Sequence, residues 1–146
     1  MPKNSLVKEM IEQICISLLL KQSKSDPSNR LALIILDNVI EVALKSHANI
    51  HGLLKKKKIT SDEVFSSILD KMTDQNKIVN SEKNDIQKYH RIRNELYRGT
   101  KLIMIKDSII DEYVVLAKIL LGRLYDFRAS KLEWKKMVTC TKKNLI

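Results

Sequence analysis

The chain has 146 residues, 44% of them apolar, enough for one domain with a sizeable core and too greasy for a disordered chain. Three glycines and two prolines are too few for the turns of a β-sandwich or barrel, or for a Gly-rich phosphate loop. The 27 basic residues outnumber the 17 acidic ones, and the net charge of +10 suits an anionic partner, nucleic acid before membrane.

Helical periodicity runs almost from end to end, with no internal repeat and no domain linker. A first helix is predicted over residues 4–22, with Leu6, Val7, Met10, Ile11, Ile14, Leu18 and Leu19 at three- and four-residue spacing. Glu9 and Glu12 interrupt it, so it does not read as a signal peptide. The polar segment 23–28 ends it, and Asp26 reads as an N-cap with Pro27 at the first position of the next helix. That second helix, residues 27–49, is apolar around most of its circumference and is predicted to be central. Its longest aliphatic run, residues 31–36, is far short of a membrane span. Gly52 ends or bends it, and the lysines at 55–58 belong in solvent.

Thr60 stands three residues before Glu63, the spacing of a capping box, and opens a third helix over 61–72 with Val64, Phe65, Ile68 and Leu69 inward. A fourth helix covers 81–98 and is closed by Gly99 as a C-cap. A loop over 100–106 leads to Asp107 or Ser108 as the next N-cap. The fifth helix, 108–128, has Ile110, Tyr113, Val114, Ala117, Leu120, Leu121 and Leu124 on one side. A basic tail follows from Ala129, with a further short helix around Trp134 as one outcome. The expected fold is all-α, an antiparallel bundle of about five helices in one domain over residues 1–146.

Cys15 and Cys140 lack any metal-ligand spacing and read as two reduced thiols, which suits a cytoplasmic chain. His47 and His51 are four apart, a spacing that can bind metal, but no third ligand accompanies them, and a last-turn histidine more often serves the helix dipole. No metal and no cofactor are expected.

The fourth helix carries the chemistry. At about 100° per residue, Tyr89, Ile92, Leu96 and Tyr97 share an arc with Arg93 in its middle, His90 at its edge, and Arg91 and Arg98 together on another side. A guanidinium on an apolar stripe needs a partner, because burying a lone charge is costly. Asp37 and Glu41 interrupt the greasy second helix four residues apart, and one of them is expected to pair with Arg93. Two readings stay open: a buried ion pair that only fixes helix register, or a face lining a cleft or a subunit interface. Arginine's planar fork suits phosphate as well as carboxylate.

The run from Tyr89 through His90, Arg91, Ile92, Arg93, Asn94, Glu95, Leu96, Tyr97 and Arg98 to Gly99 resembles the signature of the HEPN family, helical domains that carry a motif of the form R-N-x-x-x-H. Residues 28–41, with Asp37 and Glu41, look like the family's central helix, and Glu112, Tyr113, Leu120 and Leu121 like the helix after the motif, so the resemblance spans about residues 28–127. It implies a homodimer that pairs two motifs in a basic cleft and acts on RNA without metal, in a prokaryotic defence or toxin–antitoxin setting, with a cognate antitoxin or other protein as partner. Carried over by position, Arg93 and Asn94 match the motif and Tyr97 the tyrosine before its histidine. Arg98 stands where the histidine belongs. Arginine stays protonated and is a poor proton shuttle, though it still holds phosphate. The implied site is therefore degenerate: Arg93, Asn94 and Arg98 at the catalytic positions, Arg91, Tyr97 and Lys101 in binding, and His90 as a substitute proton carrier or simply a packed residue. The alternative is a non-catalytic HEPN-like module for protein interaction or assembly.

Charge supports an anion site. From Arg91 to Lys106 five cations face one Glu, and from Arg128 onward six face one Glu. Tyr125 and Trp134 offer flat surfaces for a base, although Trp134 reads better as the anchor of the tail.

Overall fold

Apolar residues at helical spacing produce six helices in the described residues. They are α1 (Ser5–Gln22), α2 (Asp26–Ile50), α3 (Ser61–Asp74), α4 (Asn80–Arg98), α5 (Asp107–Tyr125) and α6 (Lys131–Asn144). The structure, a computed structural model, describes residues 5–52, 61–99 and 102–145. The all-α expectation holds, and the described residues contain no strand. None of these helices is long and apolar enough to cross a membrane.

The central place of α2 follows from its sequence. Ala32, Leu33, Leu36, Val39, Ile40, Ala43, Leu44 and Ala48 are all buried, and the helix contacts α1, α3, α4 and α5. A helix greasy on several sides has to be covered on several sides. Leu31 and Asn38 mark the strip that stays open. On α1, Val7, Met10, Ile11, Ile14 and Cys15 face inward, and the buried Ser17 hydroxyl donates to the Gln13 carbonyl at 3.0 Å, so it leaves no stranded polar group.

Several helix ends differ from expectation. Ser25, not Asp26, caps α2: its backbone is extended, and its Oγ accepts the Ser28 N–H at 3.2 Å. Asp26 is then free to accept the backbone N–H of Ile105 at 2.8 Å and to pair with Arg30 at 2.7 Å. Helix α5 starts at Asp107 after Lys106, which makes no side-chain cap. Asn29 ties this start to α2, its amide donating to the Asp107 carboxylate at 2.8 Å and to the Ile105 carbonyl at 2.9 Å. The same helix stops at Tyr125, three residues early, because Asp126 turns into the left-handed region. The Thr60–Glu63 capping box and the lysines at 55–58 lie outside the described residues or side chains.

The basic tail is a full helix. Ser130 and Glu133 cap each other, with the Ser130 N–H to Glu133 at 3.0 Å and the Glu133 N–H to Ser130 at 3.1 Å. Helix α6 seats on α1. Trp134 is its buried anchor, meeting the Phe127 ring edge-on at 6.0 Å and the Lys118 ammonium at 4.8 Å.

Candidate functional site

Helix α4 begins after Val79, whose N–H donates to Glu82 at 2.9 Å, and ends at Gly99. There the backbone turns to φ 64°, a conformation that favours glycine, and the Gly99 N–H closes on the Glu95 carbonyl at 3.2 Å. Between these ends its inner face lies against α2 and α3.

That face meets a buried carboxylate. Asp37 is completely buried in α2 and has three partners. The Tyr113 hydroxyl of α5 donates to its Oδ1 at 2.6 Å. His90 Nδ1 lies 2.9 Å from its Oδ2, and Arg93 Nε 3.1 Å from the same oxygen. The Arg93 Nε–H is not aimed well enough at that oxygen to count as a hydrogen bond, so this contact is mainly ionic. A second guanidinium nitrogen lies 4.0 Å from Glu41, which is itself held by Lys45 at 2.7 Å. Both carboxylates singled out in the sequence thus converge on Arg93, with Asp37 the closer. Partners this close offset the desolvation of Asp37, which would otherwise be severe.

Arg93 is turned mostly inward, with its side chain only 17% exposed. Its guanidinium carbon sits 5.0 Å above the ring of Tyr97, which is 62% exposed. The apolar stripe of α4 therefore ends at Leu96, and the placement of Tyr97 on the buried arc is corrected: the last turn, with Tyr97 and Arg98, stands in solvent. Arg91 is exposed too, and neither Arg91 nor Arg98 joins an ion pair among the described residues. Asn94 is half-buried beside them. Lys101 lies outside the described residues.

His90 is drawn in further than a residue at the edge of the stripe. It is buried, tied to Asp37, and tilted against the Phe65 ring of α3 at 4.6 Å between centroids. A pocket of about 330 Å³ opens beside it, lined by Phe65, Ser66, Leu69, Gln87, His90 and Arg91. The imidazole is thus oriented by a carboxylate, the arrangement that fixes a histidine tautomer.

Tyr113 is the partner that periodicity passed over, because a tyrosine on an apolar stripe counts as core. Its signal was chemical: a buried phenol needs an acceptor for its hydroxyl. Burial, and then the adjacent Asp37, push its pKa well above the ordinary tyrosine value. Tyr89, tilted against the Tyr113 ring at 4.6 Å between centroids and bonded to Glu112, has its pKa raised by burial first and then by Glu112.

Asp37, Glu41 and His90 bring three ligand-type atoms within 4.8 Å of one another. The Arg93 guanidinium lies among them and already supplies the compensating cation, so the cluster reads as an ion-pair network. The rings of His47 and His51 meet tilted, 4.2 Å between centroids, with no third ligand-type residue among the described residues, and Tyr125 spends its hydroxyl on the Ala43 carbonyl at 2.7 Å. Comparison with protein-family models, with curated proteins and with solved structures finds no match for this chain.

Proposed function

We propose that the chain is a HEPN-like, RNA-directed protein with a degenerate metal-independent ribonuclease site, one that binds RNA and cleaves it weakly or not at all. One observation carries this reading. The fourth helix ends in exposed Tyr97 and in exposed Arg98, which has no ion pair among the described residues, beside Arg93, which is held in place by Asp37 and Glu41. Exposed arginines next to an aromatic ring suit a phosphate and a neighbouring base.

The resemblance puts Arg93, Asn94 and Arg98 at the catalytic positions, and the contacts of Arg93 divide the labour among them. Arg93 faces two carboxylates, so in this reading it positions the helix end and offers only its outer edge to an anion. Arg91 and Arg98 supply the phosphate contacts. Proton transfer is the weak point: Arg98 cannot shuttle protons, and His90 is engaged with Asp37. Binding without efficient cleavage follows. The expected setting is a cytoplasmic homodimer, in a defence or toxin–antitoxin system.

The test is incubation with a mixed RNA pool in EDTA, alongside RNA binding at rising salt. Weak or absent cleavage with steeply salt-dependent binding supports the reading. Arg91→Gln/Arg98→Gln is expected to weaken binding, and Arg98→His to raise metal-free cleavage. No RNA binding at all refutes the proposal.

A second reading, a protein-interaction module, is favoured by the segment that follows the site. Leu102 is 93% exposed and Met104 74%, beside a buried Ile105. Large apolar side chains displayed in sequence suit a protein partner. Leu102→Ser/Met104→Ser with unchanged RNA affinity but a lost protein partner supports that reading.

A further inference from the structure

Helix α6 has its own polarity, separate from the α4 site. Of its apolar residues Trp134, Met137 and Val138 pack inward, with Trp134 buried, while Leu132 is exposed. With Lys131 placed at zero and about 100° per residue, Lys142, Lys135, Lys143 and Lys136 follow within an arc of roughly 140° on the other side. All five lysines are exposed. None of them joins an ion pair among the described residues, whereas Lys21, Lys45, Lys83, Arg30, Arg123 and Arg128 all do. The helix's only acid, Glu133, faces away from the centre of this stripe and is occupied in capping Ser130. From Lys131 to Lys143 the stripe rises about 18 Å, at ~1.5 Å per residue.

We propose that the outer face of α6 is a second nucleic-acid surface, one that grips the phosphate backbone of a double-stranded segment without reading its sequence. It is independent of the assignment made for α4, since α6 seats on α1 whereas α4 lies against α2 and α3. Five exposed ammonium groups in two rows, Lys131, Lys135 and Lys142 in one and Lys136 and Lys143 in the other, with Glu133 near Lys136 the one acid of the helix, match the dense, regular charge of a duplex, whose counterions they release on binding. A single strand is less suited. The only aromatic ring on α6, Trp134, is buried under Lys118 and against Phe127, so no platform exists there for stacking a base. A membrane is less suited as well. A helix that lies on a bilayer inserts a continuous apolar face, and on α6 that face is spent on the bundle, which leaves Leu132 as the one large apolar side chain exposed among the lysines.

The experiment follows the full chain binding a short, labelled, blunt RNA duplex by fluorescence anisotropy, from about 50 to about 200 mM salt. Lys135→Gln/Lys136→Gln/Lys143→Gln is expected to flatten the log–log salt slope by about 0.9 for each lysine that contacts phosphate. Lys→Arg at the same positions should restore the slope. Arg91→Gln/Arg98→Gln should leave the α6 contribution in place, so a failure of the α4 reading is told apart from a failure of this one. If the triple glutamine variant loses its helical circular-dichroism signal, Lys131→Gln/Lys142→Gln carries the same test. An unchanged slope in the α6 variants overturns the proposal. So does binding to phosphatidylserine vesicles by a wild-type chain that ignores the duplex.

Discussion

Removing the positive charge beside Asp37 tests the physical core of the site. In Arg93→Met the side-chain volume stays near constant while the cation is lost. Asp37 is fully buried, and Arg93 is the nearest permanent cation, at 3.1 Å. Breaking one side of a buried ion pair costs about 3–5 kcal/mol, since the remaining charge keeps its desolvation penalty. Two partners survive here, the Tyr113 hydroxyl and His90, and the Arg93 side chain is itself partly open to water. The expected loss is therefore smaller, roughly 2–4 kcal/mol. Urea unfolding followed by circular dichroism should show it as a lowered midpoint with an unchanged m-value. The double variant Asp37→Leu/Arg93→Met should lose less than the two single losses added, by about 1–3 kcal/mol of coupling. A loss under about 1 kcal/mol in Arg93→Met, or strict additivity in the cycle, would refute the idea that this guanidinium compensates Asp37.

Other expectations follow from the same contacts. Tyr113→Phe should cost about 1.5–3 kcal/mol, a hydrogen bond to a charged acceptor, and the loss should shrink when Asp37 is also replaced by Asn. With their pKa values raised, Tyr89 and Tyr113 should stay protonated through alkaline titration until the fold opens, read at the tyrosinate absorbance band. His47 has its pKa lowered by burial and then by His51 and Lys77, and its Nε2 has no hydrogen-bond partner among the described residues. Its contribution should be complete above the unfolded pKa of about 6.5 and fade as pH falls through the folded value; His47→Phe should flatten that slope. Burial alone would raise the Glu82 pKa, but the hydrogen bonds from Arg123 and Val79 outweigh it and hold the carboxyl below the ordinary range. Its stabilising effect should persist above about pH 4.3 and disappear as pH drops through the folded value, and Glu82→Gln should remove that step from an acid-unfolding profile. Trp134 is the only tryptophan, so Trp134→Phe should silence the indole emission, and a red shift in the wild type should report detachment of α6.

The pairing of α2 with α4 was legible because charges that break a greasy pattern are costly and so must find each other. Asp37, Glu41 and Arg93 are such charges, and they meet. Tyr113 obeyed the apolar pattern and hid its hydroxyl within it. His90, at the edge of the stripe by periodicity, is buried, because periodicity gives the direction of a side chain and says nothing about the pull of a carboxylate on the facing helix. The cap of α2 went wrong between two adjacent residues of equal capping ability, Ser25 and Asp26. The choice was decided by the distant Ile105, whose N–H takes the Asp26 carboxylate, and no local rule sees that contact. The capping box of α6 was visible as Ser130 and Glu133 three apart, outweighed by the density of lysines around it.

Asp26 and Asn29 together hold both backbone groups of Ile105, doing for this one residue what an adjacent strand does in a sheet. The stretch leading into α5 is thereby pinned at Ile105, which is in the core, with Met104 and Leu102 outward. Ordering a loose residue on association costs about 1–2 kcal/mol of backbone entropy. Next to Ile105 that loss has already been taken during folding, so a body landing on Met104 meets a rigid ledge and not a floppy loop.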